Sequence, residues 1–149
     1  MTDFDEALAN RLLDGRYPCV LTTLRPSGDP HTVVTWCSRD GRRILINGSD
    51  SVGWMRNVRR DPRVSVLVPD TEDILRYVSY RGEVVDISED VDYLHMDAMA
   101  RLYDGTDEFI WHRPDEVVRW TVAIEPSFAR TYDPETPPEI RRGPTRDGR

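Results

Sequence analysis

Two tight turns in the first third of the chain constrain its fold more than any other feature. Pro26-Ser-Gly-Asp-Pro30 and Arg39-Asp-Gly-Arg42 are built from residues that preset φ or tolerate positive φ. They separate three β-branched, apolar runs: Cys19-Val-Leu-Thr-Thr-Leu24, His31-Thr-Val-Val-Thr-Trp-Cys37 and Arg43-Ile-Leu-Ile-Asn47. Parallel pairing needs a long crossover, whereas two-to-five-residue connections force neighbours to run antiparallel. The expected result is a three-stranded antiparallel meander.

The third run leads into Gly48-Ser-Asp-Ser51, then a helical stretch over about 51–60, and Pro62 before the alternating strand Arg63-Val-Ser-Val-Leu-Val68. Ser49, Asp50 and Ser51 are the candidate N-caps, and Arg59 and Arg60 complement the dipole at the C-terminal end. Val52, Met55 and Val58 mark the helix's apolar face. A Gly/Ser turn that opens a helix aims unpaired N–H groups and a positive dipole end at one spot, which suits a phosphate. The same pattern also fits a plain strand-to-helix connection. Arg56, Arg59 and Arg60 offer guanidinium groups nearby, with Arg56 the best placed for an anion and salt bridges to acids such as Asp61 the alternative role.

Elsewhere, Phe4, Ala7, Leu8 and Leu12 predict a leading helix over 4–14, stopped by Gly15. Arg76 to Ile87 reads as a long strand with Gly82 at a bulge or bend. Ser88 is the expected cap of a helix over about 89–104, with Val91, Leu94, Ala98, Met99 and Leu102 on its buried stripe. Residues 105–118 carry little signal, and Arg119-Trp-Thr-Val-Ala-Ile-Glu-Pro126 is the last strong strand. The predicted fold is mainly β (α+β): a six-stranded antiparallel barrel with helices outside it. One domain over 1–132 precedes a Pro/Arg-rich mobile tail over 133–149. Four tryptophans, Trp36, Trp54, Trp111 and Trp120, offer more apolar surface than one small core needs, which predicts a homodimer.

Composition narrows the function. A net charge of −7 argues against general affinity for nucleic acid or an anionic membrane. All 20 basic residues are arginine, which removes lysine Schiff-base chemistry and makes any cationic site a planar, permanently charged one. His31, His95 and His112 lack metal-ligand spacing, and His31 reads as a packed or exposed side chain before a catalytic one. The chain lacks a Gly-x-Ser-x-Gly elbow, a Walker loop and a Gly-x-Gly-x-x-Gly fingerprint. Cys19 and Cys37 lie in apolar runs and read as buried thiols. With an acidic N-terminus and no membrane-spanning apolar run, the expected compartment is the cytoplasm.

The order of motifs resembles a known family. Val20-Leu-Thr-Thr-Leu-Arg-Pro-Ser-Gly-Asp-Pro-His31, Val34-Thr-Trp36 before the Asp40-Gly41 turn, Arg56-Asn-Val-Arg-Arg-Asp-Pro-Arg-Val64, Tyr77-Val-Ser-Tyr-Arg-Gly82 and Tyr103-Asp-Gly105 are together similar to the split β-barrel flavin and deazaflavin oxidoreductases related to pyridoxamine 5′-phosphate oxidase. The likeness covers roughly residues 7–132 and is strongest to the actinobacterial-type subgroup that uses coenzyme F420. It implies a homodimer that transfers a hydride between coenzyme F420, or alternatively FMN, and an unsaturated or planar small molecule. The cofactor carries the chemistry, and no side-chain acid or base and no metal is required. Carried onto this sequence, the cofactor-binding positions are Thr35, Trp36, Asn47, Gly48, Ser49, Ser51, Trp54, Arg56 and Asn57.

Two departures fall in the anion site. Asn47-Gly48 stands where the family commonly has Thr-Thr, and Val52-Gly53-Trp54 where it commonly has Ser-Arg-Lys. Each missing cation would supply a charge-assisted hydrogen bond of about 1.5–3 kcal/mol. The departures point to a changed cofactor pose or to a non-catalytic protein that binds another ligand in the same groove.

Overall fold

A computed structural model describes residues 4–136. In chain order the elements are helix α1 (Glu6–Asp14), strands β1 (Cys19–Leu24), β2 (Pro30–Thr35), β3 (Ser38–Asp40) and β4 (Arg43–Ser49), helix α2 (Gly53–Arg60), strands β5 (Arg63–Pro69) and β6 (Tyr77–Glu89), a 3₁₀ turn at Val91–Tyr93, helix α3 (Leu94–Tyr103) and strand β7 (Arg119–Tyr132). No described helix is long and apolar enough to cross a membrane. Of the tail expected over 133–149, residues 137–149 lie outside the described residues. Asp133 is bonded to Arg76 at the start of β6.

The expectation of a six-stranded barrel needs correction. The described strands form one open seven-stranded antiparallel sheet in the order β2-β1-β5-β6-β7-β4-β3. The additional strand is Ser38–Asp40, which the sequence had merged into the Asp40-Gly41 turn. Gly41, at φ 58°, reverses the chain tightly enough for Ser38 to pair with Leu45 and Asp40 with Arg43. β2 and β3 are the sheet's two edges and do not pair with each other, so the expected three-stranded meander does not form. β2 pairs with β1 alone, the strand breaks at Trp36-Cys37, and β4 pairs with β3 and β7 at the far side of the sheet. Between β2 and β3, the backbone N–H of Cys37 donates to the Tyr103 hydroxyl, which lies 2.9 Å from the carbonyls of Cys37 and Tyr17. A side chain thus satisfies backbone groups that a continuous strand would have paired.

β6 and β7 form a long ribbon from Tyr77↔Tyr132 to Glu89↔Trp120. β5 pairs with one end of it and β4 with the other. Register shifts occur between Arg81 and Gly82 and between Val84 and Asp86, so Gly82 lies at an irregularity as its position predicts. A Cβ on Gly82 would lie 2.3 Å from the Glu125 carbonyl oxygen and 3.0 Å from Pro126 Cα. Both obstacles are backbone and cannot swing aside. Gly82→Ala is therefore expected to destabilise the fold by about 1–3 kcal/mol or more through overpacking, read as a lower urea midpoint. Wild-type stability in this variant would mean that the ribbon opens freely there.

Alternation puts Leu21, Ile44, Ile46, Val64, Val66, Val68 and Val78 on one face of the sheet, all buried, as period-two patterning requires. α1 and α2 cover that face with Leu8, Ala9, Leu12 and Leu13 and with Trp54, Met55 and Val58. Ala9 and Leu13 are buried on α1, whereas Ala7 is exposed. Cys19 and Cys37 are both buried and free.

The second helix also begins later than its sequence suggests. Ser88 and Glu89 remain in β6, paired with Thr121 and Trp120. Tyr93 holds the N-cap position without a side-chain bond, and Asp90 does the capping from upstream: its carboxylate accepts from the N–H groups of His95 and Met96 at 2.8 and 2.9 Å. Starting five residues downstream rotates the buried stripe to Tyr93, Met96, Met99, Ala100 and Tyr103. Val91, Leu94 and Ala98 are left exposed.

Candidate functional site

The turn after β4 forms a small cradle. Ser49 is buried and its hydroxyl lies 2.7 Å from that of the exposed Ser51. Neither serine caps α2, nor does Asp50; the N-cap is Val52, with no side-chain hydrogen bond. The N–H groups of Gly53 and Trp54 therefore have no acceptor among the described residues. Arg56, one turn on, is exposed and has neither a hydrogen-bond nor an ion-pair partner among them. Arg59 is engaged, pairing with Asp50 at 3.2 Å and lying over the Trp120 ring at 4.8 Å. Asp61 pairs with Arg63 instead of Arg56, and that contact holds its carboxyl down at about 2.

His31, which the sequence reading set aside, packs against this helix start. Its Cε1 lies 3.2 Å from where a Cβ on Gly53 would sit. Its Nδ1 accepts from Asn57 Nδ2 at 3.2 Å, which places the ring proton on Nε2, a donor with no partner among the described residues. The buried Asn57 also donates to Thr23 Oγ1 and accepts from Arg60. Both protons of its Nδ2 are committed to tying α2 to the β1–β2 hairpin.

Gly48 and Trp54 are matched to each other. A Cβ on Gly48 would lie 2.6 Å from Trp54 Cζ2 and 2.9 Å from Cη2. The indole is 5% exposed and belongs to the main core. Trp54 therefore faces inward, away from any ring that could stack on the surface.

A cavity of about 250 Å³ is lined by Thr35, Trp36, Asn47, Met96, Met99, Phe109 and Arg119 among others; its link to the cradle is the ladder pair of Arg119 and Ser49. Trp36 is stacked on Tyr103, with centroids 5.0 Å apart and planes 7° apart, and meets Phe109 edge-on at 6.4 Å. Asp97 brings Phe109 to this wall by accepting its N–H at 2.9 Å. The same carboxylate bonds His112 and raises that imidazole's pKa. In the cavity wall, Asn47 is buried and its amide is fully engaged: Nδ2 donates to Asp90 at 2.9 Å and to His95 Nδ1 at 3.2 Å, and Oδ1 accepts from Arg119 Nε at 2.7 Å. His95 Nε2 then donates to Ser38 Oγ at 2.8 Å. Burial lowers the pKa of His95, in keeping with this neutral tautomer.

The positions carried over by resemblance thus separate spatially. Thr35, Trp36 and Asn47 line the cavity. Ser49, Ser51 and Arg56 belong to the cradle. Gly48, Trp54 and Asn57 pack the wall between α2 and the sheet. Sequence reasoning missed His31 at the cradle and Arg119, Met96 and Met99 at the cavity, whereas Phe109 to Arg113 is an expected stretch of groove wall and Phe109 does line the cavity. Arg119 is at least visible as a lone cation opening an apolar strand.

Fold and site together define a mainly-β protein in which a bent antiparallel sheet carries an anion-receptive helix start beside an aromatic cavity. The chain belongs to the pyridoxamine 5′-phosphate oxidase family, whose model matches residues 5–125; the family includes FMN- and F420-binding oxidoreductase-like proteins. It is similar to an F420 reductase, with 26% identity and a TM-score of 0.71 over 79% of this chain and 92% of that one. It is also similar to a conserved hypothetical protein from Mycobacterium tuberculosis, with 24% identity and a TM-score of 0.65 over 87% of this chain and 85% of the other. General Stress Protein 26 from Bacillus anthracis shares the fold at 19% identity and a TM-score of 0.65, over 87% of this chain and 94% of that chain. No curated protein matches.

The residues present fit a cofactor phosphate. Two free amides at a helix N-terminus, an imidazole N–H and an unpaired arginine form a donor set without an internal acceptor to quench it. One buried donor nearby is also unpaired: Trp120 Nε1, across the ladder from Gly48.

Proposed function

We propose that this protein is an F420-dependent oxidoreductase of the cytoplasm, transferring a hydride between the coenzyme and an unsaturated or planar small molecule. The observation that carries this reading is the unquenched cradle at the start of α2, with Arg56 free beside it, in a chain 26% identical to an F420 reductase. When bound, the coenzyme supplies the hydride chemistry. The protein's part is to hold and to exclude. The Gly53 and Trp54 amides, His31 Nε2–H and Arg56 would grip the phosphate. Trp36 and Phe109 would flank a planar group, and Met96 and Met99 would keep water from it.

The homodimer is part of the proposal. Val34, Leu94, Ile110 and Trp111, between 64% and 78% exposed, belong to the elements around the cavity. An apolar rim of this kind calls for a partner surface, and a second copy would cover it and close the cavity. Two-fold association measured by analytical ultracentrifugation, lost in a Leu94→Glu/Trp111→Glu variant, is the expected behaviour.

FMN is the alternative cofactor, since its phosphate would meet the same donors. A non-catalytic role in binding another ligand is favoured by one observation: Trp54, where the family commonly carries a cation, is in the core. Titration of the full chain with F420 and FMN separately, read by cofactor fluorescence, tests all three readings. F420 should bind at micromolar concentration or below, and Arg56→Gln should weaken it about tenfold or more, as loss of a charge-assisted hydrogen bond does. Tighter FMN binding would replace the coenzyme in the proposal. Binding of neither would overturn it.

A further inference from the structure

One cation in the cavity is not used by the phosphate cradle. Arg119 opens β7, opposite Ser49 in the ladder. Its Nε donates to Asn47 Oδ1, and its two terminal nitrogens have no hydrogen-bond or ion-pair partner among the described residues. The guanidinium lies 5.1 Å from the centroid of Phe109 and 6.0 Å from that of Tyr93. Burial lowers its pKa from the usual arginine value, an effect that the field of Asp90 only partly offsets.

The nearest acid does not neutralise it directly. Asp90 spends its oxygens on the N–H groups of His95 and Met96 and on Asn47 Nδ2. Asn47 stands between the two charges, donating to the carboxylate and accepting from the guanidinium. This fixes the orientation of Arg119 while leaving its forked terminal N–H groups free. The adjoining walls are apolar and flat: Trp36 and Phe109, with Met96 and Met99. A rigid guanidinium fork beside aromatic walls favours a planar carboxylate, which can take two parallel N–H···O bonds.

We infer that this cavity is a binding subsite for a planar, conjugated carboxylate, with the carboxylate on the Arg119 terminal N–H groups and the conjugated system against Trp36 and Phe109. That its occupant is the hydride acceptor or donor rests on the function proposed above; the binding itself needs no coenzyme. Asn47 is the positioning residue, since it touches Arg119 and leaves no donor of its own for a ligand.

The test compares cinnamate with cinnamamide, its neutral planar counterpart, by calorimetric titration of the full chain without coenzyme. Cinnamate should bind at least about tenfold more tightly than the amide, the usual penalty for losing a charge-assisted bond at a buried site. Arg119→Gln should erase that preference, Arg119→Lys should retain part of it, and Arg42→Gln, an exposed arginine on the distant Gly41 turn, should leave it unchanged. Equal affinity for acid and amide, an unchanged preference in Arg119→Gln, or no binding of either compound would overturn the inference. So would competition between F420 and cinnamate with F420 weakened by Arg119→Gln, because the cavity would then hold the coenzyme's own ring. Carboxylate binding together with failed F420 titration would sink the oxidoreductase reading and leave this subsite standing.

Discussion

Trp54→Ala is expected to cost about 3–5 kcal/mol of stability, the usual loss for truncating a buried tryptophan, and to do so through a contact specific to this chain. The indole fills the space that a side chain at position 48 would otherwise occupy, since a Cβ there would come within 2.6 Å of it. Gly48→Thr alone should therefore overpack the wall of the cradle and cost about 1–3 kcal/mol. Combined, the two changes should lose clearly less than their sum, because each relieves the defect left by the other. Urea unfolding of the four proteins in the cycle measures the coupling. Strict additivity would mean that Gly48 and Trp54 are not matched. The result also bears on function: a tryptophan aimed at the core cannot be a stacking platform, and on this backbone a cation at position 54 would point away from the cradle. Under the proposed function the cradle's cation is Arg56.

The second large effect is expected at Asp90. It is 6% exposed and accepts three hydrogen bonds, from His95 N, Met96 N and Asn47 Nδ2. Hydrogen bonds to a charged group contribute about 1.5–3 kcal/mol each, and their loss strands buried donors. Asp90→Ala should therefore destabilise the protein by about 4 kcal/mol or more, and Asp90→Asn, which keeps an acceptor, by less. Amide exchange should rise sharply at His95 and Met96 and little in α1. If α3 retained its protection in Asp90→Ala, the helix would not depend on this cap. The same substitution releases Asn47 and with it Arg119, so the carboxylate preference of the cavity should fall in parallel.

The strands around the Pro26–Pro30 turn and the strand-turn-helix of 43–64 were legible because their signals are local. Turn residues set φ, β-branched residues alternate, and Pro62 ends a helix, all within a few positions. The misreadings share the opposite cause. Ser88 looks like a cap because a serine precedes acids and apolar residues, but a ladder to Thr121 and Trp120 extends β6 past it, and Asp90 takes over. Ser38–Asp40 looks like part of a turn because three residues carry no period, yet pairing with β4 makes them a strand.

The order of most strands and helices and the burial of alternate residues were properties of the sequence, and they follow from short-range chemistry that any compact form of this chain must respect. Partnership was a property of the folded structure. Asn47, 43 residues before Asp90 and 72 before Arg119, holds both. Trp54 turns inward because Gly48 makes room for it. Hydrogen bonds and van der Waals contacts act over a few ångströms, and only the bent sheet brings residues so distant in sequence within that range.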